Sequence, residues 1–257
     1  MTLTREEQNR LLHGMLEMGD LLLDCGAEID RVEDTLERLG RAYGAEHMEV
    51  FVITSIISMT MAFPGGETLT ETRRIHSSGS TDFYKLEKLN ALSRQCCAQP
   101  LPLPELREKL DGIAAGHKSF ASVFWGSVLV GGSFCVFFGG TLWDGLAAAL
   151  FGALVCLLSN RLGRTQLNTV AFNLLVSLLI GLGVGVTTAV IPGLHMDVIL
   201  MGDIMLLIPG IAITNAVRNL LVGNTISGGV RLLESLIWAA SLAGGFMVAL
   251  VIVDALF

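Results

Sequence analysis

MGDIMLLIPGIAITNAVRN, residues 201–219, is apolar enough to enter a bilayer, yet it carries Asp203 near one end and a Pro209-Gly210 break in its middle. Asn215, Arg218 and Asn219 follow the break. An ionisable side chain inside a membrane is costly, and a proline removes one backbone donor and frees the carbonyl of the preceding turn. A helix that tolerates both points to a use for both. The flanking sequence decides which use.

Outward from this stretch, five apolar segments cover about 120–139, 142–159, 170–191, 198–217 and 235–255. Most approach the roughly 20 residues that a spanning helix requires, the second being the shortest. They predict an all-α transmembrane bundle of about five helices over residues 118–257. Glycines are dense here, and small residues let helices approach where lipid gives no hydrophobic drive. Gly181, Gly183 and Gly185 face different sides of one helix, which suits a flexible or tightly surrounded segment. With the N-terminus inside, the inner loops receive Arg161, Arg164, Arg218 and Arg231, whereas the outer ones hold His195, Asp197 and Asp254 and no Lys or Arg. This asymmetry predicts a cytoplasmic N-terminal part and an external C-terminus.

Residues 1–118 hold 19 of the 24 acidic and 13 of the 17 basic residues, while the mean hydropathy of the 257-residue chain is +0.62. The first part, 1–117, therefore reads as a small soluble domain ahead of the membrane part. Leu11, Met15, Met18 and Leu22 recur at helical spacing, as do Ile29, Val32, Leu36 and Leu39, with Gly44 suited to end the second helix. MEVFVIT and the alternating SIISMTMAF then read as strands. Pro64-Gly65-Gly66 supplies a turn, and ETLTETRRIH reads as a returning strand. A helix from Asp82 to about Gln99 and a proline-punctuated boundary at QPLPLPELRE complete a cytoplasmic α+β domain.

Several function classes are disfavoured. A net charge of −7 argues against a nucleic-acid partner. Cys25, Cys96, Cys97, Cys135 and Cys156 form neither a CxxC pair nor a zinc pattern, so no disulfide framework, metal or other cofactor is expected. His13, His47 and His76 lack ligand spacing or a nucleophile partner, and no catalytic residues are assigned. Glu28, Arg31, Glu33, Asp34, Glu37 and Arg38 read as a solvated helix face rather than a site. The start, MTLTREEQNR, has no apolar core, so no cleavable signal peptide is expected.

The chemistry concentrates around the broken fourth segment. Asp203 and Asn215 would stand about 18 Å apart in an unbroken helix. Discontinuous membrane helices expose carbonyls and half-helix ends near the midplane, where transporters hold substrate or coupling ions. Asp203 then serves as a proton or cation acceptor, with Pro209 and Gly210 forming the break. The alternative is that Asp203 sits at the outer headgroup level and Pro209 only kinks a packing helix. Asn173 and Asp144 are further pathway candidates, each equally a hydrogen-bond clamp or a cap. In NAVRNLLVGNTISGGVRLLES (215–235), Arg231 and Glu234 have the spacing of a helical ion pair, and Asn224, Ser227 and Gly228-Gly229 read as a turn. Arg218 and Arg231 suit either an anionic substrate at the cytoplasmic mouth or a topology signal.

CGAEIDRVEDTLERLGRAYG (25–44), GGTLWDG (139–145) and LIPGIAITNAVRNLLVGNTISGGVRLLES (207–235) together resemble the threonine/serine exporter family, and in particular the larger, YjjP-type subunit of its split two-chain form. The resemblance covers nearly the whole chain and is most specific at 208–231. It implies a bacterial inner-membrane exporter of small hydrophilic metabolites such as threonine, serine or succinate. It also implies a second, smaller polytopic membrane subunit, since five spans match one half of the fused form; absence of such a partner would favour a homo-oligomer or a membrane anchor. Asn219 and Asn224 stand where the family often carries acids, which leaves Asp203 as the principal membrane acid. The leading expectation is a non-enzymatic secondary exporter driven by protons, because no phosphate-binding loop is present. The alternative is a membrane-anchored sensor or assembly protein whose soluble domain binds a ligand or partner.

Overall fold

The computed structural model describes residues 4–65, 68–75, 81–116, 119–163 and 167–257. In chain order the elements are α1 (Arg5–Asp24), α2 (Ile29–Ala42), β1 (His47–Ile53), β2 (Ile56–Ala62), β3 (Thr68–Arg74), α3 (Phe83–Ala98), α4 (Leu103–Ala115), α5 (Phe120–Phe137), α6 (Leu142–Leu162), α7 (Thr169–Val190), α8 (Met196–Ile204), α9 (Gly210–Leu221) and α10 (Thr225–Leu256). They divide into two compact units, one of Met1–His117 with Ile211–Leu232 and one of Lys118–Gly210 with Leu233–Phe257.

In the first unit, Thr4 opens α1 with a capping box, accepting from the Glu7 amide while the Glu7 carboxylate accepts from the Thr4 amide. The helical apolar rows of α1 and α2 are buried together at Leu11, Met15, Met18, Leu22, Val32, Leu36 and Leu39. Gly44 ends α2 at φ +94°, a conformation that costs glycine nothing. The three strands form an antiparallel sheet in the order β1-β2-β3. The alternation in β2 does what a two-residue period requires: Ile57, Met59 and Met61 enter the core, while Ser58 meets Thr72 at 3.1 Å and Thr60 meets Thr70 at 2.9 Å on the other face. Asp82 caps α3 by accepting from the Tyr84 and Lys85 amides. Gly66 and His76 lie outside the described residues.

Among the described residues, four helices are long and apolar enough to cross a membrane: Phe120–Phe137, Leu142–Leu162, Thr169–Val190 and Thr225–Leu256. The chain is a multi-pass membrane protein. The expected span at 198–217 is not a single helix, which corrects the count of about five continuous helices. The chain leaves α8 through tightened turns, Leu206 N donating to Asp203 O at 3.1 Å and Leu207 N to Ile204 O at 3.0 Å. Pro209 then lacks a donor and drives Ile208 out of helical conformation, so α9 begins only at Gly210. A second correction concerns Ser227, Gly228 and Gly229, which are helical. The turn is made instead at Gly223, whose φ is +99°. Gly228 serves a close approach, because a Cβ there would lie 2.9 Å from the Ala216 carbonyl oxygen of α9.

In the second unit, α5 and α6 pack almost backbone on backbone: a Cβ at Gly131 would fall 2.8 Å from the Ala148 carbonyl, and one at Gly152 would fall 2.7 Å from that of Ser127. At Gly202 of α8, a Cβ would lie 2.5 Å from the Gly131 carbonyl. Gly181 faces Ala249 of α10 and Gly183 faces Phe151 of α6, so the alternation in α7 marks a tightly surrounded helix. The outer surfaces remain apolar, with Trp125, Leu129, Phe137 and Trp143 exposed, as a lipid-facing surface allows.

Candidate functional site

Asp203 stands one residue before the end of α8 and is wholly buried. Neither carboxylate oxygen has a hydrogen-bond partner among the described residues. The neighbouring α5 presents Gly131 to it, where a Cβ would come within 3.1 Å of Asp203 Oδ1. Any side chain at 131 would crowd the acid. A buried, partnerless charge costs several kcal/mol, so an acid here is poised to exchange its charge for a proton or to meet a cation. The regular helix ends one residue after it, at Ile204, and the break before Pro209 follows.

Asp144 has a different role. It closes a capping box at the start of α6, accepting from the Thr141 amide at 2.8 Å and the Thr141 hydroxyl at 2.7 Å. It also accepts from the His195 amide at 2.7 Å, with His195 Nδ1 at 3.0 Å. The hydrogen bond to this carboxylate raises the pKa of His195 above the ordinary imidazole value. Asp144 is therefore both cap and clamp, pinning the segment before α8 to the start of α6. Asn173 is buried on α7, where its carbonyl accepts from Ser177 Oγ at 2.7 Å.

Asn215, Arg218, Asn219 and Arg231 belong to the first unit, and Pro209, Gly210 and Glu234 to the second. Arg218 of α9 pairs with Glu28, and Asn224 Nδ2 donates to Asp30 Oδ1, so the α9–α10 turn is held on the N-terminal end of α2. Asn219 is buried, and with Asn215 and Arg231 it lines a small chamber shared with Gly26, Glu28, Thr54 and Thr81. Glu234 is exposed on α10. Arg164 lies outside the described residues. The structure thus gathers Asn215, Arg218, Asn219 and Arg231 in one unit, and Asp203, Asp144 and Asn173 in the other.

A larger cavity of about 820 Å³ opens between α2 and α3, reaching Ile211 and Asn215 of α9. The solvated-face reading of α2 holds for Arg38–Asp34 and Arg41–Glu37, which are exposed pairs four residues apart. It fails for Glu28, engaged by Arg218, and for Glu33, whose Oε1 accepts from the Val52 amide at 2.9 Å. Burial raises the Glu33 pKa, which ties α2 to strand β1 through a partly desolvated carboxylate. No spacing in the sequence distinguishes these acids from their solvated neighbours, because their partners lie 190 and 19 residues away.

A family model described as "Putative threonine/serine exporter" matches residues 13–253. The chain belongs to the threonine/serine exporter family. It is also similar to "Probable succinate transporter subunit YjjP" of Klebsiella aerogenes, at 26% identity over 259 aligned positions that cover 96% of each chain. No solved structure matches. Membership extends across both units, so the cavity-bearing domain and the broken membrane segment belong to one family architecture.

Proposed function

We propose that this family member is a secondary exporter in the bacterial inner membrane. It moves small hydrophilic metabolites, such as threonine, serine or succinate, outward in exchange for protons. The observation that carries this reading is Asp203, wholly buried, unpartnered among the described residues and followed by the broken segment before Pro209. A packing helix or a simple anchor needs neither feature, whereas a carrier that alternates a charge in mid-membrane needs both. Residues 1–117 form the cytoplasmic domain, as the placement of arginines between the spans supports. Asn173, Asn215, Arg218, Asn219, Arg231 and Glu234 then border the substrate pathway, while Asp144 shapes its outer end. The relative's printed name, which calls it a subunit, supports a second small membrane subunit as partner.

Efflux of labelled serine, threonine and succinate from preloaded cells tests this, with and without the partner, and with Asp203→Asn in each case. The reading requires partner-dependent efflux that collapses in Asp203→Asn while the protein stays inserted. Efflux indifferent to the substitution would move the proton site elsewhere. Absence of efflux for all three compounds would sink the substrate set and favour the sensor alternative.

A further inference from the structure

We propose that the α2–α3 cavity of the first unit is a binding site for a small dicarboxylate. The argument begins with its charges. Two acids and three arginines line it: Glu28, Asp34, Arg31, Arg38 and Arg94. Both acids are committed, Glu28 to Arg218 and Asp34 to Arg38 at 2.8 Å. Arg31 and Arg94 have no ion pair among the described residues, so the cavity presents two uncommitted guanidinium groups from two different helices. Guanidinium groups favour bidentate carboxylate partners, and two of them match a dianion in number as well as kind.

The lining supplies the other half of the match. Leu22 and Val32 are buried apolar members of the cavity lining, and Leu86 is a partly buried one. A short hydrocarbon spacer suits this apolar lining, and the two carboxylates suit the two guanidinium groups. An inorganic dianion offers the charge without the spacer, and a zwitterionic amino acid offers one carboxylate plus an ammonium that both arginines repel. Asn215 borders both this cavity and the small chamber that Asn219 and Arg231 line, so a bound acid sits beside the polar residues of α9. The site stands on the first unit alone and does not depend on Asp203. It deepens the exporter reading only in naming the class of acid.

The test is calorimetric titration of the purified full-length protein in nanodiscs with succinate, serine and sulfate. Saturable succinate binding is expected, weakened about tenfold or more by Arg31→Gln and by Arg94→Gln and unchanged by Arg10→Gln, which lies on α1 in an exposed pair with Glu6. Both cavity arginines are exposed, so these variants retain the fold. No succinate binding, binding indifferent to the two substitutions, or displacement by serine or sulfate as effective as by succinate would each overturn the proposal. Asp203→Asn separates the two readings. Succinate binding kept with efflux lost supports both. Efflux kept without succinate binding removes the site alone, and binding kept without efflux in the wild type removes the exporter reading alone.

Discussion

Replacing Gly202 by alanine tests the packing that holds Asp203 in place. A Cβ at 202 would lie 2.5 Å from the Gly131 carbonyl oxygen, 2.9 Å from Cys135 Cβ and 3.0 Å from the Cys135 amide nitrogen. Two of these three atoms are backbone, so no rotamer change relieves the contact and α8 must move off α5. Overpacking of this kind costs about 1–3 kcal/mol. Alanine meanwhile regains about 1 kcal/mol of helix propensity over glycine. The propensity gain cancels against a reference substitution, Gly126→Ala on α5, where an added Cβ meets nothing within 4 Å. The difference between the two variants isolates the close approach. It corresponds to a melting temperature roughly 2–12 °C lower for Gly202→Ala, at about 2–4 °C per kcal/mol for a chain of this size. Thermal unfolding of both variants in the same detergent measures it, and efflux by Gly202→Ala falls as its neighbour Asp203 is displaced. Equal melting temperatures for the two variants would refute the backbone contact between α5 and α8.

Asp144→Ala removes a cap and an interhelical clamp, costing about 2–4 kcal/mol, whereas Asp203→Asn leaves the melting temperature unchanged or raised while abolishing efflux; the reverse pattern would exchange their roles. The Arg218–Glu28 pair is partly exposed, with side-chain exposures of 55% and 24%, so a double-mutant cycle should give a coupling of about 0.2–1 kcal/mol. The pKa of His195 is raised in the fold, so its contribution to stability is fully present below about pH 6.5 and is lost as pH rises through the folded value. Melting curves at pH 6 and pH 8 should therefore differ less for His195→Ala than for the wild type. Asn224→Asp places a second carboxylate against Asp30 and should lower stability most at low ionic strength; a salt-independent effect would place the cause elsewhere.

Much of this architecture is legible in one dimension because its causes are local. The 3.6-residue rows of α1 and α2, the alternation of Ile57, Met59 and Met61, the cap at Asp82 and the break at Pro209 each depend on residues a few positions apart. The membrane character follows equally from uninterrupted apolar length. Other features required the third dimension. The burial of Asp203 without a partner depends on Gly131, 72 residues earlier, leaving room on α5. Asp144 proved a clamp only once His195 came within hydrogen-bonding distance, and Glu28 left the solvated face only because Arg218 folds back onto it. Most of all, the chain order gives no hint that residues 211–232 cluster with the N-terminal domain, or that Arg31 and Arg94 share a cavity. Local pattern records which face of an element is apolar. It does not record which distant face that element meets, and there charges are paired or left open.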